Sequence, residues 1–252
     1  MLAALICVGV VQANVRPLLA DIAAQDSDQR AATGDLLGAI QTGERAVALW
    51  PKEPVHRQTL SWAYLQQALS GPGDPLPWLL QAEAELDAAR SLQPGDYRTW
   101  IALGELYGTW GTRWDPSRLP LAHNAYRQAA ALAPNHAMVY TAWGLLEMTE
   151  GRPAQAAASF RRAVDLDATD GYAFAHLGGA ELALGHVQEA LAAFEQAVHW
   201  QPDLGHAYVG LARCNWHLGR RIEARQALEQ ALQLDPGNMA ADALRQEMGL
   251  GP

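Results

Sequence analysis

The sequence predicts an all-α chain built from a series of helix-turn-helix repeats. Three observations carry that prediction. First, the stretch Gly171–Pro202 places Phe174, Leu177, Gly178, Gly185, Ala190, Phe194, Ala197 and Pro202 in a fixed order. Tyr208, Leu211, Ala212, Gly219, Ala224, Leu228, Ala231 and Pro236 take the same eight places 34 residues on. Second, half of the 252 residues are apolar, with alanine abundant and β-branched residues few, which favours helix over strand. Third, glycine and proline fall at regular places between apolar-periodic segments, where they punctuate rather than interrupt helices.

The chain opens on an unbroken apolar run, Met1–Val11, which Gln12 and Asn14 end. A membrane span needs about 20 mostly apolar residues, so the run alone is short; extended to Leu19 it could cross at a tilt. A cleaved secretory signal is the rival reading, since Val11 and Ala13 flank Gln12 in a small-residue pattern. A buried core helix is the third. Ile6 before Cys7 is too large for a lipid-modified cysteine.

Residues 1–17 are therefore set apart, and 18–53 read as a degenerate first repeat. Gly34, Ala39, Ala46 and Pro51 are in register there, and Gly43 stands where a large residue is expected. Residues 54–96 form a second repeat whose first helix covers Val55–Gln67. The run Gly71–Pro77 carries three prolines that forbid a continuous helix, so the second helix resumes at Trp78 and ends at Leu92. Residues 97–136 form a third repeat with an insertion, Gly108–Pro120, between its helices. Repeats 137–170, 171–204 and 205–238 have regular length, and only Ala168 stands where proline is expected. Residues 239–252 read as a capping helix and tail, with Met239, Ala243, Leu244 and Met248 on its inward face.

A 34-residue period with this order of large, small and breaker residues resembles the tetratricopeptide repeat (TPR) family. The resemblance implies a right-handed α-α superhelix, a TPR solenoid of about five to six repeats with a C-terminal cap. In that architecture Gly178 and Ala190 are small because two helices approach there. Gly185 ends the first helix in a left-handed conformation, and Pro202 closes the second. A weaker resemblance links NVRPLLADI (Asn14–Ile22) and AVALWP (Ala46–Pro51) to the C-terminal tail of bacterial O-antigen ligase/polymerase-type membrane proteins.

The charge and motif content narrows the chemistry. A net charge of -9 argues against a nucleic-acid binder, which needs a cationic surface to displace counterions. Cys7 and Cys214 have neither disulfide-framework nor metal-knuckle spacing. HExxH, GxSxG and phosphate-loop patterns are missing, and the eight histidines are scattered. His206 and His217, three helical turns apart, cannot share one metal ion. The expectation is a non-enzyme with no catalytic residues, cofactor or metal, and with a small-molecule ligand disfavoured.

What remains is a partner surface. The resemblance implies a concave groove lined by first-helix positions, here Gln58, Trp62 and Gln66, then Arg98, Ile101 and Glu105. Met138, Thr141, Leu145 and Met148 follow, then Tyr172, His176 and Leu182, and finally His206, Val209, Arg213, Trp216 and His217. This lining suits a partly apolar protein or peptide. The basic clamp with which some TPR proteins hold a chaperone's C-terminal carboxylate is not reproduced, since its places carry Gln58, Trp62, Ala102, Met138 and Ala142.

In the insertion, Trp110, Arg113 and Trp114 either form a loop offering aromatic anchors or fold back to fill the longer turn, and the second is favoured. The leading functional expectation is a membrane-tethered scaffold, associated through residues 1–19. The alternatives are a C-terminal module of an O-antigen ligase/polymerase-like protein and a glycan-binding repeat stacking sugars on Trp62, Trp110, Trp114 and Trp216. A secreted or periplasmic location after signal cleavage is the alternative placement.

Overall fold

The computed structural model describes the backbone of residues 2–249 and the side chains of residues 15–249. Among these residues the chain forms thirteen α-helices and one short 3-10 turn. Two compact units divide it, Met1–Ala133 and Pro134–Pro252. The all-α repeat class expected from the sequence is the fold observed.

The first unit holds α1 (Leu2–Ala32), α2 (Leu36–Leu49), α3 (Pro54–Ser70), α4 (Leu76–Leu92), α5 (Tyr97–Arg113) and α6 (Leu119–Leu132), with the 3-10 turn at Pro116–Arg118. The second holds α7 (Ala137–Thr149), α8 (Pro153–Leu166), α9 (Gly171–Ala183), α10 (Val187–Trp200), α11 (Gly205–His217), α12 (Arg221–Leu234) and α13 (Met239–Glu247). Within each unit consecutive helices pack as hairpins, and each hairpin packs on the next.

Alanine pairs spaced two helical turns apart mark the buried seam of every second helix. Ala39 and Ala46, Ala82 and Ala89, Ala122 and Ala129, Ala156 and Ala163, Ala190 and Ala197, and Ala224 and Ala231 are all fully buried. A methyl group is the largest side chain that leaves neighbouring helices in close contact there. The large residues between them fill the rest: Tyr126, Phe160, Phe194 and Leu228 are buried at the matching places.

Turn glycines behave as the spacing predicts. Gly151, Gly185 and Gly219 have φ of 71°, 79° and 76°. Each lets the next residue fold back, so that the N–H groups of Arg152, His186 and Arg220 donate to the carbonyls of Glu147, Glu181 and Asn215 at 2.8, 2.9 and 2.9 Å. That six-to-one bond caps a helix end that would otherwise leave carbonyls unpaired.

Four local expectations are corrected. Helix α1 runs through Pro17, so the division at residue 17 falls inside a helix. The anchor reading (residues 1–19) and the signal reading fall largely on residues 1–14, whose side chains lie outside the described residues. Among the described residues no helix is long and apolar enough to cross a membrane. Helix α4 begins at Leu76, two residues before Trp78, because Pro77 fits a first turn where its missing N–H has no helical partner to lose.

The insertion is largely helix, since α5 continues through Gly108 and Gly111 to Arg113. The inward face of α13 is Ala241, Leu244 and Met248, while Met239 is 84% exposed and Ala243 lies outside. Finally, Gly178 is small because it seats a ring. A Cβ placed there would lie 2.9 Å from the Phe194 side chain. Gly43 serves similarly, with Leu60 and Ser27 side chains 3.1 and 3.2 Å from where its Cβ would be.

Candidate functional site

In the first unit the expected groove positions are only partly open. Gln58 is committed internally, since its Nε2 donates to Asp96 Oδ2 at 2.9 Å and to Thr99 Oγ1 at 2.7 Å. Ile101 is buried. Arg98 Nε donates to Asp96 Oδ1 at 2.9 Å; burial pushes the Asp96 carboxyl up, but the hydrogen bonds from Arg98 and Gln58 together hold it below the usual range. Trp62 and Glu105 remain exposed. Glu105 is crowded by surrounding protein although solvent reaches it, and that desolvation raises its carboxyl above the ordinary value.

The three residues of the insertion part company. Trp110 is 3% exposed and belongs to the core formed by Leu103, Leu106 and Tyr64. The Arg118 guanidinium sits 4.0 Å from the centre of its ring and also pairs with Glu83 at 3.4 Å and Asp115 at 3.6 Å. Arg113 is exposed at the end of α5, and Trp114 caps that helix at 39% exposure. There is no aromatic loop here. The helix buries one tryptophan and shows the other at its end.

The second unit gathers its expected positions more closely. Tyr172, on the first turn of α9, is half exposed. Its ring stacks on His206 of α11 with centroids 6.2 Å apart, and His206 stacks on His176 at 6.4 Å. Beneath His176 lies Phe160 of α8, 5.4 Å away and fully buried. Four rings thus bridge three consecutive hairpins. Burial is the main force lowering the His176 pKa, with His206 adding to it and Asp170 opposing; burial also lowers that of His206. Both imidazoles are thus held toward the neutral form, and the stack is aromatic.

Met138 and Thr141 of α7 open onto a cleft of about 410 Å³ that Asp167 and Asp170 also line. Met148 is half-buried against the α8 core. Val209 is buried, and Arg213 is half-buried. His217 is exposed at the end of α11. Trp216 packs on the α12–α13 core, and the Arg221 guanidinium covers its ring at 3.4 Å.

Sequence reasoning did not find the cleft carboxylates Asp167 and Asp170, nor Phe160 as the floor of the stack. It also missed Glu147, Glu181 and Asn215, buried polar residues 34 apart on α7, α9 and α11. Glu147 accepts from Ser159 Oγ at 2.7 Å. Glu181 accepts from Arg161 and from His186 Nδ1. The repeat period would have exposed this column. Glu147 thus ties α7 to the following helix α8, while Glu181 ties α9 to the turn before α10 and back to α8. Among the described residues no group of three or more His, Cys, Asp or Glu side chains could hold a metal ion.

Comparison with known proteins gives consistent matches. One tetratricopeptide-repeat model matches residues 147–203 and 181–247, and a second matches 113–172. Together they span 113–247, more than half of the chain. No curated protein matches the sequence. Among solved structures, Pseudomonas aeruginosa pilF is similar with a TM-score of 0.66 at 15% identity, covering 92% of this chain and 99% of that one.

TTC0263, a thermophilic TPR protein of Thermus thermophilus, gives 0.63 at 20% identity over 78% of this chain and 99% of that one. YrrB, a TPR protein with an unusual peptide-binding site, gives 0.55 at 18% identity over 81% and 97%. At these identities the likeness is one of fold.

Proposed function

We propose, given that this chain belongs to the tetratricopeptide-repeat family, that it is a non-catalytic scaffold holding a protein or peptide partner on the first-helix face of its second unit. The observation that carries the reading is the exposed stack of Tyr172 on His206, beside the Met138–Thr141 cleft. Aromatic side chains held rigid by stacking make good anchors, because little rotamer freedom is left to lose on binding. The peptide-binding site of YrrB, on a similar fold, supports this reading.

We also propose attachment to a membrane through the N-terminal helix. Val15, Leu18, Leu19 and Ile22 are exposed along one face of α1 and continue the apolar run Met1–Val11. Exposed apolar faces of this kind mark surfaces that something covers. A glycan-stacking role gains little support, since Trp110 is buried and Trp216 lies under Arg221. A place as the C-terminal module of an O-antigen ligase/polymerase-like protein rests on residues 14–51 of the sequence alone.

The test is recovery of partners from cells of the source organism by the full chain, a Tyr172→Ala/His206→Ala variant and a Gln188→Ala variant on the exposed side of α10. Loss of a hot-spot anchor costs about 2 kcal/mol, roughly 30-fold in affinity. The double variant should lose a partner that the other two retain. Equal recovery by all three rejects this surface.

A further inference from the structure

We propose that the ring stack Phe160–His176–His206–Tyr172 is an acid-sensitive coupling, in which protonation of its two imidazoles separates α9 from α11 and loosens the face that Tyr172 presents. Release of a bound partner by acid rests on the function proposed above; the behaviour of the stack itself does not.

His176 is held between the Phe160 ring on one side and His206 on the other, at 5.4 and 6.4 Å. His206 in turn lies between His176 and Tyr172. The stack is therefore continuous from α8 through α9 to α11, and the imidazoles are its middle members.

Among the described residues, the charges acting on His176 are His206 of α11 and Asp170 of the α9 N-cap. Asp170 is fixed where it stands, because its Oδ1 accepts from the Ala173 N–H at 3.0 Å. From α8 the facing group is the uncharged Phe160 ring. His206 faces Tyr172 and His176 of α9, and burial is what acts on its titration.

Two effects compete when a proton arrives. One imidazolium over an aromatic face gains cation–π attraction, and Asp170 favours it. Burial and the second imidazole oppose it. Burial is the main opposing force at both residues, joined at His176 by the second imidazole, and each titrates below the ordinary histidine value. Two imidazolium groups at this spacing also repel, so full protonation is disfavoured while the stack is intact.

The unfolded chain binds protons here more readily than the folded one, so stability rises with pH across this interval. The contribution is present above the unfolded histidine pKa of about 6.5 and is lost as pH falls below it.

The test uses the full chain without a partner. His176 and His206 imidazole resonances are followed by NMR from pH 8 to 5, and melting curves are recorded at pH 7.5 and 5.5. A His176→Phe/His206→Phe variant keeps four rings and removes both titrations; His206→Gln alone, at an exposed position, serves if the double variant does not fold. Both imidazoles should titrate below the ordinary value, and the wild-type Tm should fall on acidification by about 2–4 °C more than that of the variant. Ordinary titration of both, or an equal fall in both proteins, overturns the proposal. Either result leaves partner binding at neutral pH to its own test.

Discussion

Gly178 and Gly179 are neighbours in α9 with opposite roles. A Cβ on Gly178 would meet the Phe194 ring at 2.9 Å, whereas one on Gly179 would meet nothing within 4 Å. The same seating recurs at Gly104 under Tyr126 and Gly144 under Phe160. Phe194 is also met from the next hairpin by Gly210. Gly178→Leu should therefore overpack a buried ring and cost about 1–3 kcal/mol. Gly179→Ala should be neutral or stabilise by about 0.5–1 kcal/mol, because alanine gives up less backbone freedom in a helix.

Denaturant unfolding of the two variants checks this, and equal midpoints would reject the seating. The need for a small residue at 178 is legible in the sequence because the repeat holds it fixed. What it faces is not legible, since a ring and a backbone both demand the same small side chain.

Secondary-structure elements were readable where backbone conformation dictates the residue type. Gly151, Gly185 and Gly219 occupy left-handed positions that other residues reach only with strain. Asp35, Asp96, Asp170 and Asn238 accept backbone N–H groups at the starts of α2, α5, α9 and α13. The segment GTWGTR failed as a loop because tertiary packing outweighs the weak helix preference of its glycines.

Gly108 and Gly111 are buried, Gly111 lies where a Cβ would be 2.6 Å from the Leu119 side chain, and Trp110 fills the core between them. Removing that ring should hurt. Trp110→Ala is expected to cost about 3–5 kcal/mol as a buried large-to-small change. Trp114→Ala, at the exposed helix end, should stay within about 0.5 kcal/mol. Thermal unfolding distinguishes them, and a larger loss at Trp114 would reverse the assignment.

At the scale of the whole molecule, the sequence reads as one run of repeats, whereas the structure divides into two compact units. Leu60, Leu86, Leu103 and Trp110 belong to the first. Phe160, Phe194 and Leu228 lie in three successive apolar clusters of the second unit. The fold was legible because periodicity repeats the same physical demand many times. The candidate face was legible only as a set of exposed first-helix positions. Its stacking was not, because Tyr172 and His206, equivalent residues in successive hairpins, meet through the packing of α9 on α11.

The central claim is that this face of the second unit holds a partner. It is tested most directly by placing a photo-crosslinking amino acid at position 172 or, in a separate protein, at Gln188 on α10, and irradiating each in cells. Position 172 should give one discrete adduct, and position 188 none of that mass. The same adduct from both positions, or from 188 alone, would contradict it.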